Sequence, residues 1–517
     1  FAAQDIAMHA LRAILEAGRP PLRQKSKVLA MKARTATLKA NPVAVARTAP
    51  TAAGKAPPGG HNVTPWLIVV LAVVLCSGAL FGYDQGVISG ALDGIKATFS
   101  LSSLLVEVVT SWVTLGALFG ALAGGELADR LGRKRALLIA GAMFTLGSFV
   151  EALAPATVIL VGGRLIVGAG VGVAAVAAPL YAAELAPTSL RGRFVSSYQL
   201  AIAVGIFVAY LVAGLLSKGD AWRWMLGASA VPGLMLFVAA LVTPESPRWL
   251  MKMHRRPEAA AELRKIRAGA DAKRLDAIEA ALRKEGGRAS WGEVFHKRWR
   301  RPLLIGVGLA VLQQITGINA IIYYADQIFA SAGFISRSSQ ATVTLWAVGA
   351  VNVLATLIAI AFIDRLGRRK LLLAGLLGMG ISLAVVGVAF RFIGNAAAGK
   401  AAVAPSGAGV VTLFALVAFI ICFAFSMGPV VWTVINEIFP GHIRGRAVAV
   451  ATAVNWGSAF LVSQGFLSLI GAIGNSFTFW LLALFCGLGW IWVYRAVPET
   501  KGRSLEQIQQ IWNEQEA

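Results

Sequence analysis

From residue 65 onward the chain repeats one pattern: apolar stretches of about twenty residues, parted by short polar loops. Twelve are readable, over 65–90, 104–128, 134–154, 158–183, 194–216, 224–243, 303–331, 339–363, 370–392, 408–437, 445–470 and 477–496. A helix of that length matches the hydrocarbon core of a bilayer. In hydrocarbon each backbone N–H and C=O must find a partner within the protein, which leaves helices or a closed barrel. Long runs without strict alternation are helices. The chain is 57% hydrophobic and 14% charged, with mean hydropathy +0.70 over 517 residues. The expected fold is therefore an all-α membrane protein with twelve transmembrane helices.

The 48 Lys and Arg exceed the 25 Asp and Glu, for a formal charge of +23. The basic residues sit in the N-terminal segment and in loops 2–3, 4–5, 6–7, 8–9 and 10–11. Loops 1–2, 3–4 and 11–12 are nearly free of them. That alternation is the positive-inside pattern, places both termini in the cytoplasm, and argues against nucleic acid as the partner. A cell (inner) membrane is the expected location, with the lipid bilayer as surroundings. His9, His61, His254, His296 and His442 all fall in tails, loops or helix ends, so a mid-membrane histidine relay is not available. Cys76, Cys422 and Cys486 lie inside apolar runs and read as small buried hydrophobes, not a disulfide or metal set. Residues 1–62 are rich in Ala, Lys, Arg and Pro and poor in acids. They read as a disordered cytoplasmic tail, with a transit peptide as the alternative.

The two halves of the chain repeat. Asp129-Arg-Leu-Gly132-Arg-Lys-Arg135 after the second stretch matches Asp364-Arg-Leu-Gly367-Arg-Arg-Lys370 after the eighth. Glu184-Leu-Ala-Pro187, running on to Arg191-Gly-Arg193, matches Glu437-Ile-Phe-Pro440, running on to Arg444-Gly-Arg446. Pro244-Glu245-Ser-Pro-Arg248 echoes Pro498-Glu499-Thr-Lys501-Gly502. Three pairs in one order imply a six-plus-six duplication, whose halves rock around a central site. The expected domains are a tail 1–62, a first bundle 63–245, a helical cytoplasmic linker 246–302, a second bundle 303–497 and a tail 498–517. Asp129, Arg130, Arg133, Glu184, Arg193, Glu245 and Arg248 are expected to form inter-helix ion pairs at the cytoplasmic helix ends of the first half. Asp364, Arg365, Arg368, Glu437, Arg444 and Glu499 are expected to do so in the second. They are expected to hold the outward-open state and to break on inward opening, since breaking one side of a partly dry pair leaves an uncompensated charge.

The polar exceptions inside the apolar runs carry the functional reading. Gln313-Gln314-Ile-Thr-Gly317-Ile-Asn319-Ala-Ile-Ile-Tyr323-Tyr324 places amides and phenols where hydrocarbon belongs. Neutral groups that both donate and accept suit a polyol. On an ideal helix Gln313 and Asn319 point about 120° apart, so they converge only if the helix breaks, and Thr316-Gly317 is the natural place. Asp84 lies deep in the first stretch, with Arg164 as the candidate partner in the fourth. Burial disfavours the charged carboxyl and a neighbouring guanidinium favours it. A site that gains and loses Arg164 would load and release a proton. No nucleotide-binding loop, metal cluster or catalytic constellation is present in the sequence, so neither an enzyme nor an ATP-driven pump is expected, and no cofactor or metal.

These motifs, together with Pro179-x-Tyr181-x-x-Glu184 and Gly428-Pro429-x-x-Trp432-x-x-x-x-Glu437, resemble the sugar porter family of the major facilitator superfamily over about residues 64–505. Ile360 departs from the pattern, which has Gly there. The resemblance implies sugar contacts at Gln199, Gln313, Gln314, Asn319, Tyr323, Trp432, Asn455 and Trp456. Ile206 stands where the xylose symporters have a further glutamine, which favours a hexose such as glucose or galactose. The acid at Asp84 resembles the proton-coupled members. The implied activity is proton–monosaccharide symport by a monomer. A passive uniporter of the same fold is the alternative, and a non-transporting sugar receptor the remote one.

Overall fold

A computed structural model describes residues 64–186, 191–217, 221–266, 272–285, 291–396 and 406–501; the side chains of 191–193, 195, 272, 284–285, 363–365, 394–396 and 441–442 lie outside the description. The expected tail 1–62, and residues 502–517 of the expected C-terminal tail, fall outside the described residues.

The described residues are helical, without strands. The first bundle comprises α1 (Pro65–Phe99), α2 (Ser103–Leu131), α3 (Arg133–Ala152), α4 (Thr157–Leu185), α5 (Arg191–Leu215) and a sixth span made of α6 (Trp222–Ala228) and α7 (Ala230–Val242). Short helices α8 (Pro247–Lys252), α9 (Arg256–Ile266), α10 (Ala272–Glu285) and α11 (Trp291–Val294) connect the halves. The second bundle begins with α12 (Arg300–Ile315), α13 (Ile318–Tyr323) and α14 (Ala325–Ser331). It continues through α15 (Arg337–Val343), a π-helical turn at Thr344–Ala350, α16 (Val351–Leu366), α17 (Arg368–Ala396), α18 (Gly407–Phe425), α19 (Met427–Ile438) and α20 (Gly441–Ala496).

Among the described residues, eleven helical segments are long and apolar enough to cross a membrane, and the last holds two spans. A straight helix of 56 residues would run about 84 Å, far beyond a bilayer. Gly474 breaks it, at φ 81° and ψ 162°. Phe466 and Phe479, either side of that glycine, meet edge-on with ring centroids 6.3 Å apart, so the chain turns back on itself. That gives twelve spans.

Small residues set the packing. In lipid there is no hydrophobic drive between helices, so close backbone approach takes its place. A Cβ on Gly82 of α1 would stand 2.0 Å from the Ile202 carbonyl oxygen of α5, which locks those helices together. Large apolar side chains such as Phe119, Leu146 and Trp224 project outward, as a lipid-facing surface requires. The bundles meet where α2 packs on α20 and where α5 packs on the eighth span. The linker helices form a small core of their own around Trp249, Leu250, Leu263 and Leu275. Arg256 clamps α9 to Asp276 and Glu279 of α10, at 2.5 and 2.7 Å.

Helix ends differ from the sequence expectation at three places. The first helix runs to Phe99 and stops at Ser100 in the left-handed region, well beyond residue 90. The seventh span breaks at Gly317 (φ 93°), as expected, and a second time at Tyr324 (φ −110°, ψ 21°), where no break is expected. The tenth breaks at Ser426, two residues before Gly428-Pro429.

Candidate functional site

The break at Gly317 decides where the amides point. Left-handed φ there ends α12 and restarts the chain as α13, so Gln313, Gln314 and Asn319 face one another. Asn319 Nδ2 donates to Gln314 Oε1 at 2.8 Å. Gln314 Nε2 donates to Asn455 Oδ1 of α20 at 3.2 Å. Asn455 Nδ2 returns to Gln313 Oε1 at 2.8 Å and to the Ala310 carbonyl at 3.0 Å. Gln313 Nε2 donates to the Met427 carbonyl at the break between α18 and α19, at 2.8 Å. A fifth amide closes the network from the other bundle: Gln85 Nε2 donates to Asn319 Oδ1 at 2.8 Å. All five are buried. Buried amides must be paired, and here they pair with each other. Each of these bonds is one that a polyol hydroxyl could replace.

The other expected contacts sit around this ring. Tyr323 is fully buried with no hydrogen-bond partner for its hydroxyl. Trp456 is buried edge-on against Phe81 of α1, 5.0 Å between centroids. Trp432 is half-buried on α19, one turn past Gly428. Gln199 of α5 reaches toward the second bundle; its Nε2 lies 3.8 Å from where a Cβ on Gly428 would be. Ile206 is buried on α5.

One residue before Gln85, Asp84 accepts from Arg164 Nη1 at 2.5 Å. Arg164 is wholly buried and also gives Nε to the Val109 carbonyl, at 3.1 Å. Charge pairing in a dry interior requires such geometry. The amide network and the charge pair therefore hang from adjacent residues of α1.

The duplicated motifs build two matching clusters on the arginine-rich face. In the first bundle Arg133 reaches Glu184 at 2.9 Å and Asp129 at 3.2 Å. Glu245 accepts the backbone N–H of Arg133 and Lys134, at 3.1 and 3.3 Å, holding the start of α3 as a carboxylate holds a helix N-terminus. Burial nonetheless raises the Glu245 pKa above its ordinary 4.5. In the second bundle Arg368 reaches Glu437 at 3.1 Å, and Glu499 accepts the N–H of Arg368 and Arg369, at 2.9 and 3.2 Å. Ser246 binds Glu184 as Thr500 binds Glu437. Arg444 bonds the Phe439 carbonyl. Arg248 is half-buried on this face. Arg130 pairs with Glu126 on the exposed surface, outside the cluster. The side chains of Arg193, Asp364 and Arg365 lie outside the described residues.

The inter-bundle bonds at Gln85, Ser89, Glu107, Ser111 and Tyr210 lie at the amide layer or toward the opposite face. Ser89 Oγ accepts from Asp326 N at 3.1 Å, and Tyr210 donates to the Ile322 carbonyl at 2.9 Å. Ser111 donates to Gln464 at 2.6 Å, and Glu107 accepts from both N and Oγ of Ser468 at 2.6 Å.

Sequence reasoning missed Gln85, Glu107 and Glu151. Each is a polar or charged residue within or beside an expected span, and that alone was the available signal. Gln85 follows Asp84 and points to a different helix face. Glu151 falls three residues from the expected span end at 154, where a charge passes as interfacial.

Residues 69–512 match the family model described as sugar (and other) transporters. A putative metabolite transport protein of Bacillus subtilis is 42% identical over 436 residues, covering 84% of this chain and 92% of that protein. The galactose-proton symporter of Escherichia coli K12 is 40% identical over 453 residues, covering 87% of this chain and 95% of the symporter. Among solved structures, a major facilitator proton:xylose symporter bound to 6-bromo-6-deoxy-D-glucose superposes with a TM-score of 0.73 at 31% identity. That match covers 86% of this chain and 99% of the symporter.

Proposed function

The chain belongs to the sugar transporter family, and from that premise we propose that it carries a monosaccharide together with a proton by alternating access. The observation that carries this is one of adjacency. Gln85 joins an amide ring shared by both bundles, and its neighbour Asp84 is the buried acid paired with Arg164. A sugar entering the ring exchanges amide–amide bonds for amide–hydroxyl bonds, and in doing so acts on both bundles at once. Protonating Asp84 removes the charge that holds Arg164. The two events therefore act on one turn of α1, and a ligand shifts a conformational equilibrium only through such differential contacts.

The apolar Ile206, buried on α5, favours a hexose by the family resemblance, and the similarity to a galactose-proton symporter supports the same substrate class. Gln199, Gln313, Gln314, Asn319, Tyr323, Trp432, Asn455 and Trp456 are the proposed sugar contacts, with Asp84 and Arg164 coupling the proton. The arginine-rich face is taken as cytoplasmic on the positive-inside rule, with both termini on that side of the cell membrane. The structure then has its inter-bundle bonds toward the outer face. The Arg133–Glu184 and Arg368–Glu437 clusters are the pairs that break as the cytoplasmic ends rearrange. The protein is proposed to work as a monomer. Proteoliposomes loaded with the purified protein test the reading: hexoses should compete with labelled glucose for gradient-driven uptake better than pentoses do. Competition by neither class would contradict the proposed substrate class.

A further inference from the structure

Three charged side chains meet inside the first bundle, and their charges do not balance. Arg164 is the single cation; Asp84 and Glu151 are both acids, and each of the three is at most 2% exposed. Arg164 Nη1 is committed to Asp84 at 2.5 Å. Glu151 Oε1 stops 3.8 Å from the same nitrogen, beyond hydrogen bonding, and neither Glu151 oxygen has a hydrogen-bond partner. Ser148, one turn earlier on α3, donates to the Phe144 carbonyl and accepts from Ser229. Arg223 of α6 spends Nη1 on the carbonyls of Ala152 and Ala154. Room is left for the acid: a Cβ on Gly163 would stand 2.7 Å from Glu151 Cγ. An ionised carboxylate buried without a single hydrogen bond is heavily penalised, whereas a protonated one is far less so. Two carboxyls facing one guanidinium in a dry site do not both ionise; they share a proton.

We infer that Asp84 and Glu151 share one proton across Arg164, and that Glu151 is a second proton-exchanging carboxylate of the coupling site. The inference rests on the coupling role proposed for Asp84. While Asp84 is ionised and bonded to Arg164, Glu151 holds the proton. When Asp84 is protonated, the guanidinium turns to Glu151, which gives its proton up. One negative, one positive and one neutral group are present in both states, so the cluster stays neutral and Arg164 is never left alone. Beside the cluster, Arg223 of α6 bonds the Ala152 carbonyl next to Glu151 and Tyr323 of α13 acts on Arg164, while Glu107 of α2 is tied to Ser468. Glu151 sits in the last turn of α3, toward the face opposite the arginine clusters, while Asp84 adjoins the amide ring. The proton thus has two stations at different depths.

Infrared difference spectroscopy on purified wild type, D84N, E151Q and E151D tests the shared proton. Wild type minus D84N and wild type minus E151Q should each contain the carbonyl stretch of a buried carboxylic acid. Either substitution leaves one acid to ionise against Arg164. A band missing from either difference overturns the inference. In proteoliposomes under an imposed proton gradient, E151Q should lose about tenfold in sugar accumulation, within the usual range for coupling between two sites, and should shift the pH profile of uptake. Counterflow without a gradient should fall far less, and E151D should keep both the band and most of the accumulation. E151Q with the accumulation and pH profile of wild type overturns the inference, as does a loss that E151D does not reverse. Wild type that fails to accumulate sugar under the gradient would defeat the proposed coupling itself, while the infrared result still decides the shared proton.

Discussion

Truncating Gln314 to alanine separates two roles for the amide ring, recognition and helix glue. Gln314 donates to Asn455 at 3.2 Å, makes a long contact with Gln313 at 3.4 Å and accepts from Asn319 at 2.8 Å. After Gln314→Ala, Asn455 keeps its bonds to Ala310 and Gln313, and Asn319 keeps Gln85. Inter-helix hydrogen bonds in membranes average about 0.6 kcal/mol and reach about 1.7. Losing two good ones therefore lowers stability by about 1–3 kcal/mol. In the sugar complex the same amide would contribute about two hydrogen bonds to hydroxyls, at roughly 0.5–1.5 kcal/mol each. That is again about 1–3 kcal/mol, a rise in Kd of roughly 5- to 150-fold. The assay is competition binding on purified protein, beside thermal unfolding with and without sugar. Gln314→Ala should bind weakly and lose the ligand-dependent rise in Tm at concentrations that saturate wild type. Unchanged affinity alongside a lowered Tm would refute the reasoning and make the ring structural glue.

Three further outcomes follow from the geometry. Gly317→Ala puts a Cβ at φ 93°, with Leu482 Cδ1 2.7 Å away; left-handed strain of about 1–2 kcal/mol and overpacking of about 1–3 kcal/mol should lower Tm and sugar affinity together, and retained affinity would contradict the role of the break. Arg133→Ala removes bonds to Glu184, Asp129 and the Ala128 carbonyl; a loss of about 3 kcal/mol should appear as lower Tm and as faster labelling of cysteines placed on the arginine-rich face, and unaltered labelling would argue against a gate. Burial raises the Glu245 pKa, so the fold favours its protonated form; that contribution is present below about pH 4.5 and is lost as pH rises through the raised value. The Tm of Glu245→Gln relative to wild type should therefore grow from acid to neutral pH, and a gap that shrinks in that direction would contradict the shift.

Much of this was legible in the chain because lipid removes alternatives. Apolar runs fix helices through backbone pairing, and matched motif pairs fix the duplication before any contact is known. The amides at 313, 314 and 319 could be grouped because the break their convergence needs has its own signal, the glycine at 317. What stayed hidden depends on the angle at which helices face each other. Gln85 enters the ring only because α1 packs against α13, which no local pattern announces. Glu151 meets Arg164 only because the end of α3 packs beside Gly163 of α4. Arg130 shares a motif with Arg133 yet pairs outward with Glu126, because helix phase, not proximity in sequence, decides which arginine faces the bundle.

The most direct test of the central claim is labelled hexose uptake into proteoliposomes, with and without an inward proton gradient, for wild type and Asp84→Asn. Wild type should accumulate sugar above equilibrium only under the gradient and lose it on adding a protonophore, while Asp84→Asn exchanges sugar without accumulating it. Wild type that merely equilibrates, or Asp84→Asn that accumulates as well as wild type, would contradict the account.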